Sequence, residues 1–132
     1  MSKIIRLKTL ILEEIGDDIL NIRLKDDAMV GKSDMQEYLG AIKTEFGGRS
    51  FKNLVEFGSY SNVTPEAREF AGSLESNAYT LADAFVLHSL SQRILGNFYM
   101  KFDKPAKPTQ IFSDREEALV WLRGLGMYNG AG

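Results

Sequence analysis

AFVLHSLSQRILGNFYMKFDKPAKPTQIFSDREEALVWL, residues 84–122, is the stretch whose reading decides the fold class. Residues 81–88 form a near-continuous apolar run, the signature of a strand buried on both faces. Ser89 follows, with Gln92 three residues on, a capping-box spacing that opens a helix. In that helix Leu90, Ile94, Leu95, Phe98 and Phe102 recur at helical spacing and are expected to face inward. Pro105 and Pro108 end the helix and keep the crossing extended. Residues 109–112 then read as a short strand. Ser113 and Glu116 repeat the capping-box spacing before a last helix with Ala118, Leu119, Leu122 and Leu125 on its core face. Strand, helix, crossing, strand, helix is the grammar of a parallel sheet built through right-handed crossovers.

The residues upstream extend the same alternation. One strand is expected within residues 3–15. Gly16, Asp17 and Asp18 make a turn, and residues 19–25 alternate, with Leu20, Ile22 and Leu24 opposite Asn21, Arg23 and Lys25. Those two runs read as an antiparallel hairpin. Ser33 and Gln36 have capping-box spacing ahead of a helix with Met35, Leu39, Ile42 and Phe46 on one stripe and Gly47 as its stop. Residues 51–58 are a third strand. Thr64 and Pro65 open a second helix as N-cap and first helical residue, with Ala67, Phe70, Ala71 and Leu74 on its apolar face. The expectation is an α/β fold: a mixed, mostly parallel five-stranded sheet with an N-terminal β-hairpin and four helices. Residues 1–125 form one domain and 126–132, rich in glycine, a flexible tail.

The chain has 132 residues, 44% hydrophobic and 26% charged, as in an ordinary globular domain. Its 16 basic and 18 acidic residues give a net charge of −2, so no basic field favours nucleic acid. It has no cysteine, which excludes disulfides, thiolate catalysis and thiolate metal sites. No apolar run approaches the ~20 residues of a membrane span, and no secretory core follows the start. A cytoplasmic protein without membrane attachment is the reading.

In element order the chain resembles STAS-type domains, the SpoIIAA-like anti-sigma-factor antagonists of bacteria. The likeness is carried by VLHSLSQRILGNFY and TQIFSDREEALVWL, through Ser89, Arg93, Phe112, Ser113, Glu116, Glu117, Ala118 and Leu119. The resemblance implies a SpoIIAA-like fold, binding to a partner protein, and a phosphorylatable hydroxyl at the start of the second helix. By element position that switch falls at Thr64, with Ser59 and Ser61 in the same loop. The family's Asp-Ser-Ser/Thr-Gly signature is replaced by GSYSNVTPEARE, so a capping role for Thr64 is favoured over a switch.

The other motifs read blandly. DDAMVGKS, residues 26–33, ends like a phosphate-binding loop, but Asp26 stands where that loop needs Gly, so Gly31, Lys32 and Ser33 are a helix entry. GLGMYNG, residues 124–130, has Asn129 in place of the third Gly of a dinucleotide fingerprint. The sequon-like Asn62-Val63-Thr64 is followed by Pro65 and carries no weight. His88, the single histidine, stands at a strand end beside Ser89. With Asp83 on the same strand and no nucleophile elbow, it makes no triad. One histidine and solvated acidic pairs make no metal site, and no cofactor is implied. Lys101, Lys104 and Lys107 flank the proline crossing as a solvated loop. The apolar surplus at Tyr99, Met100, Phe102 and Trp121 is a candidate interface and motivates a homodimer. These readings converge on a regulatory or protein-interaction module that is not an enzyme. The alternative is a carrier of a nucleotide or lipid-like ligand, with a pocket at the C-terminal strand ends near Ser59, His88 and Ser89.

Overall fold

A computed structural model describes the backbone of residues 3–131 and side chains through Leu125. Its elements are β1 (Ile4–Arg6), β2 (Leu10–Gly16), β3 (Ile19–Leu24), β4 (Met29–Val30), α1 (Lys32–Glu45), β5 (Phe51–Phe57), β6 (Asn62–Val63), α2 (Pro65–Ala71), β7 (Thr80–Val86), α3 (Leu90–Phe98), a π-helical turn (Tyr99–Asp103), β8 (Thr109–Phe112) and α4 (Arg115–Ala131). The tail expected over 126–132 falls outside the described side chains. The main sheet has the order β1-β2-β3-β5-β7-β8, and β4 pairs with β6 in a two-stranded ribbon. β1, β2 and β3 are antiparallel neighbours, whereas β3, β5, β7 and β8 run parallel.

The α/β class, the mixed sheet and the four helices match the expectation, but the sheet has six strands, not five. The extra strand comes from residues 3–15, which break at Leu7-Lys8-Thr9 and fold back, with the Leu7 N–H donating to the Leu10 carbonyl at 2.8 Å. The apolar alternation continues across that break, so periodicity alone gave no sign of it. The β2–β3 turn is as read: Asp17 and Asp18 both have positive φ (56° and 59°), the conformation of a type I′ hairpin turn.

Two hydrophobic clusters lie on opposite faces of the sheet. Leu20, Ile22 and Leu24 of β3 and Val55 and Phe57 of β5 join Leu39, Ile42 and Phe46 of α1 and Phe70 of α2 on one face. Ile19, Leu54, Ala82, Ala84 and Val86 meet Ala118, Leu119 and Leu122 of α4 on the other. Both faces are therefore covered, and Asn21, on the face opposite Leu20, Ile22 and Leu24, is 5% exposed. Its Nδ2 donates to the Leu54 carbonyl (3.1 Å) and to Glu56 Oε1 (3.0 Å), which also accepts from Arg115 Nε (3.1 Å).

Local caps differ from the expected boxes at two of the three helices for which a box is expected. Gly31, not Ser33, is the N-cap of α1, and Asp34 accepts from its backbone N–H at 2.8 Å. At α4 the Asp114 carboxylate, not the Ser113 hydroxyl, accepts from the Glu116 N–H (3.2 Å). Thr64 and Ser89 cap as expected, accepting from Ala67 N–H (3.0 Å) and Gln92 N–H (3.1 Å). α1 stops at Gly47, whose φ of +64° lets the Gly48 N–H reach back to the Ile42 carbonyl. α2 ends at Ala71, one turn before Leu74, which is 90% exposed rather than on the apolar face.

Candidate functional site: the α3 face and a buried polar cluster

α3 is turned opposite to its apolar stripe. Gln92 (1% exposed) and Tyr99 (5%) point inward, while Leu90, Ile94, Phe98 and Phe102 are exposed by 75%, 60%, 44% and 59%. Two residues impose this. A Cβ at Gly96 would stand 2.7 Å from Leu87 Cδ1 and 2.9 Å from Ile111 Cδ1, so the glycine face is the one that can approach the sheet closely. Gln92, one turn earlier, is a buried clamp. Its Nε2 donates to the carbonyls of Gly58 and Ser61, both at 3.0 Å, and its Oε1 accepts from the His88 N–H at 2.9 Å. The amide thus ties the start of α3 to the loop between β5 and β6. Phe98 stacks on Phe102 with ring centroids 4.4 Å apart, and the Arg68 guanidinium lies 4.4 Å from the Phe98 ring, held there by Asp103. From His88 to Phe102 the segment has no acidic residue, and Arg93 and Lys101 are exposed beside the stripe.

The loop tied by Gln92 ends the parallel strands. Gly58 lies against β3: a Cβ there would be 2.5 Å from the Leu24 carbonyl. The Ser59 N–H donates to Asp26 Oδ1 at 2.8 Å, and Tyr60 (φ +59°) stands 88% exposed at the tip. Ser61 is 1% exposed, and its hydroxyl donates to the Gly58 carbonyl at 2.7 Å.

A second constellation lies inside the molecule, on the inner sheet face toward the start of the strands. Asp83 of β7 is 7% exposed; its Oδ1 accepts from Asn53 Nδ2 at 3.0 Å and its Oδ2 from Lys107 Nζ at 3.0 Å. The Lys107 side chain is 7% exposed and also reaches the Tyr99 hydroxyl at 3.3 Å. Tyr38 lies 3.5 Å from Asn53 Nδ2. Burial first, and then the Asp83 charge, push the Tyr38 hydroxyl well above the usual tyrosine range. Tyr99 is raised by burial, then by Asp83 and Asp103.

The two tyrosines predict a direction of alkaline sensitivity. In the unfolded chain they ionise near pH ~10, whereas in the folded protein they stay neutral. Their contribution to stability is therefore full below about pH 10 and is lost as pH rises from there toward the folded values. Urea midpoints should fall between about pH 8 and pH 11, and the fall should shrink in Tyr38→Phe/Tyr99→Phe, which has nothing to ionise at these sites. An equal fall in the double variant would assign it to other groups.

A family model described as a domain of unknown function (DUF7793) matches residues 13–125. The chain belongs to the DUF7793 family. No curated protein matches it. A crystal structure of an uncharacterized protein of the DUF3478 family from Shewanella loihica PV-4, described as having a SpoIIAA-like fold, is similar with a TM-score of 0.60. Its identity is 15%, over 92% of this chain and 95% of that one. This DUF7793 chain therefore has a SpoIIAA-like fold, and at such identity the likeness speaks to fold alone.

Against that frame the sequence-predicted site residues separate. Ser59 and Thr64 lie in the loop ahead of α2 as expected, but Ser61 is sealed in the interior and is not an accessible switch residue. His88 and Ser89 are exposed and do not line the cavity that lies between the inner sheet face and α1, α2 and α3. Of the four interface candidates, Phe102 is exposed and Met100 half-buried. Tyr99 is buried, with its hydroxyl donating to the Ala71 carbonyl at 3.2 Å, and Trp121 is half-buried against Phe112 with centroids 5.8 Å apart. Lys107 is a buried partner of Asp83, not a solvated loop residue. Leu90, Ile94, Phe98 and Phe102, expected to face inward, are on the surface, and of that stripe only Leu95 packs against the core. Their spacing fits either face; Gly96 and the amide of Gln92 were the signals that could have inverted the reading. Among the described residues no three acidic or histidine side chains converge as metal ligands, and no helix is long and apolar enough to cross a membrane.

Thr64 is legible as a cap. Thr64→Ala should cost about 0.5–2 kcal/mol, and Thr64→Asp should be tolerated, since Asp caps as well and its charge suits the helix N-terminus. Chemical denaturation of the two variants checks the order; equal losses would mean that the hydroxyl bond to Ala67 does not hold α2 in solution.

Proposed function

We propose that this protein is an interaction module that docks a partner protein on the outer face of α3. The observation that carries the reading is the row Leu90, Ile94, Phe98 and Phe102, exposed along one helix whose buried face is made by Gln92, Gly96 and Tyr99. Large apolar side chains in one contiguous row are characteristic of surfaces that are covered in use. A helix that shows its apolar stripe to water while burying a glutamine is oriented against its own hydrophobicity, which a docked partner would offset. The flanking Arg93 and Lys101, with no acid from His88 to Phe102, select the partner's chemistry. An amphipathic segment with apolar residues at helical spacing and Asp or Glu beside them complements this face in shape and charge. Docking a second copy through the same face would bring the Arg93 and Lys101 side chains of the two copies together, so a foreign partner is favoured over a homodimer.

The test is a comparison of surface variants. A partner captured by crosslinking with the wild-type protein is purified and titrated. Ile94→Glu should weaken binding about tenfold or more, because it places a carboxylate in an apolar contact facing acidic groups. Val120→Glu, at a 70% exposed position on α4, should leave it unchanged. Both should fold within about 0.5 kcal/mol of wild type, being surface substitutions. Equal affinity for wild type and Ile94→Glu would sink the reading. Sedimentation showing an α3-dependent homodimer would replace the foreign partner with a second copy, and α3-dependent binding to vesicles would replace it with a lipid surface.

A further inference from the structure

The cavity beneath α1, α2 and α3 measures about 130 Å³, and its wall changes character along the strands. Toward the strand ends it is lined by Leu24, the last residue of β3, Phe57, the last of β5, and Leu87, just past β7. Toward the strand starts it is lined by Asn53 of β5, Thr80, the first residue of β7, and Ser76 and Asn77 in the turns just before it. Hydrogen bonds tie this polar end together. Asn53, Asp83, Lys107 and Tyr99 form a chain, and the Tyr99 hydroxyl and Asn77 Nδ2 both donate to the Ala71 carbonyl, at 3.2 and 3.0 Å.

The charges of the lining are already matched, Asp83 by Lys107 and Arg68 by Asp103. Two neighbouring polar groups are not. Asn77 Nδ2 donates to the Ser73 carbonyl (2.8 Å) as well as to Ala71, so the amide cannot turn over without setting its oxygen against two carbonyl oxygens. Asn77 Oδ1 is left as an acceptor that no donor meets among the described residues. Ser76 is only 5% exposed. Its backbone N–H donates to Ser73 Oγ (3.1 Å), while its own hydroxyl engages no group among the described residues. Neither atom is closed off from open space as Asn53 Oδ1 is. A buried hydroxyl without a partner, beside a free acceptor, calls for an explanation. The complement is a neutral head that donates and accepts, carried on an apolar body. A charged head would leave water for a site with no free counter-charge. A cavity of roughly 150 Å³ holds a benzene-sized molecule, which sets the size of that body. We infer that the cavity is a binding site for a small neutral aliphatic alcohol of about five carbons, with its chain toward Leu24, Phe57 and Leu87 and its hydroxyl at Ser76 and Asn77. The inference stands apart from the docking face, and its test needs no partner protein.

1-Pentanol is titrated into the ¹³C-methyl-labelled protein and followed at Leu24, Val55 and Leu87. It should bind with a Kd of about 5 mM or tighter. Pentanoate and pentylammonium at neutral pH should bind at least about tenfold more weakly, since each brings an unmatched charge. Ser76→Ala should weaken 1-pentanol about threefold or more and leave 1-chlorobutane, which has no hydroxyl, within about twofold of its wild-type affinity. Orientation is read in the wild-type protein even where Ser76→Ala fails to fold. Intermolecular NOEs should connect the methylene next to the hydroxyl with Ser76 and Asn77, and the terminal methyl with Leu24 and Leu87. A Kd for 1-pentanol weaker than about 5 mM, charged probes that bind as well, an equal effect of Ser76→Ala on both neutral probes, or the reverse orientation would overturn the inference.

Discussion

Replacing Lys107 with methionine should destabilise the protein by about 3–5 kcal/mol, the cost of breaking one partner out of a buried ion pair. Lys107 and Asp83 have side chains only 7% and 11% exposed and stand 3.0 Å apart. Methionine preserves most of the packing of the lysine stem but leaves the carboxylate with Asn53 as its remaining donor. The loss should be largely undone in Lys107→Met/Asp83→Asn, where no charge stays behind, since a buried pair replaced as a unit is often near neutral. Urea denaturation of the single and double variants measures both. A single variant within about 1 kcal/mol of wild type would mean that the pair is hydrated in solution.

Gln92→Leu should cost about 2–5 kcal/mol, although it places a larger apolar group in an interior position. The side-chain amide satisfies two carbonyls, Gly58 and Ser61, and the backbone N–H of His88. Leucine satisfies none of them; the Gly58 carbonyl keeps the Ser61 hydroxyl at 2.7 Å, but the Ser61 carbonyl and the His88 N–H lose the amide, and each buried backbone group left unpaired costs about 1–3 kcal/mol. The effect should also be local. Amide exchange should accelerate over Gly58–Ser61, whose remaining ties to the strand β3 and the turn after it are the Gly58 N–H to the Leu24 carbonyl (3.0 Å), the Asp27 N–H to the Ser59 carbonyl (2.8 Å) and the Ser59 N–H to Asp26 (2.8 Å). A stability loss without faster exchange in that loop would show that Gln92 acts through packing and not as a clamp.

Gln92 and Lys107 act through contacts that local sequence signals do not carry. Residues 84–122 carry their local structure openly: an apolar run for β7, Ser89 as a cap, prolines after the helix, and a core face at Ala118, Leu119 and Leu122 that is buried as expected. Thr64 and Pro65 likewise announce α2. Such signals are local, since caps, turns and prolines act within one turn of the chain. The rotation of α3 about its axis is not local. Leu90, Ile94 and Phe98 have the spacing of a core stripe, and only the distance from Gly96 to Leu87 and Ile111 shows that another face must meet the sheet. Lys107 and Asp83, separated by a helix and a crossing, become partners through the register of β7 with β8.

By itself the sequence determined the α/β class, the order of the main strands and helices, the caps at Thr64 and Ser89, and the absence of thiol chemistry, because composition, period and turn chemistry are properties of neighbouring residues. Only the tertiary structure decided which face of α3 is exposed, that Ser61 is sealed, that Lys107 is buried and that Asn53 pairs with Asp83. Each of these depends on distances between segments far apart in the chain, where close backbone approach and the pairing of buried polar groups outweigh the hydrophobic period of any single helix.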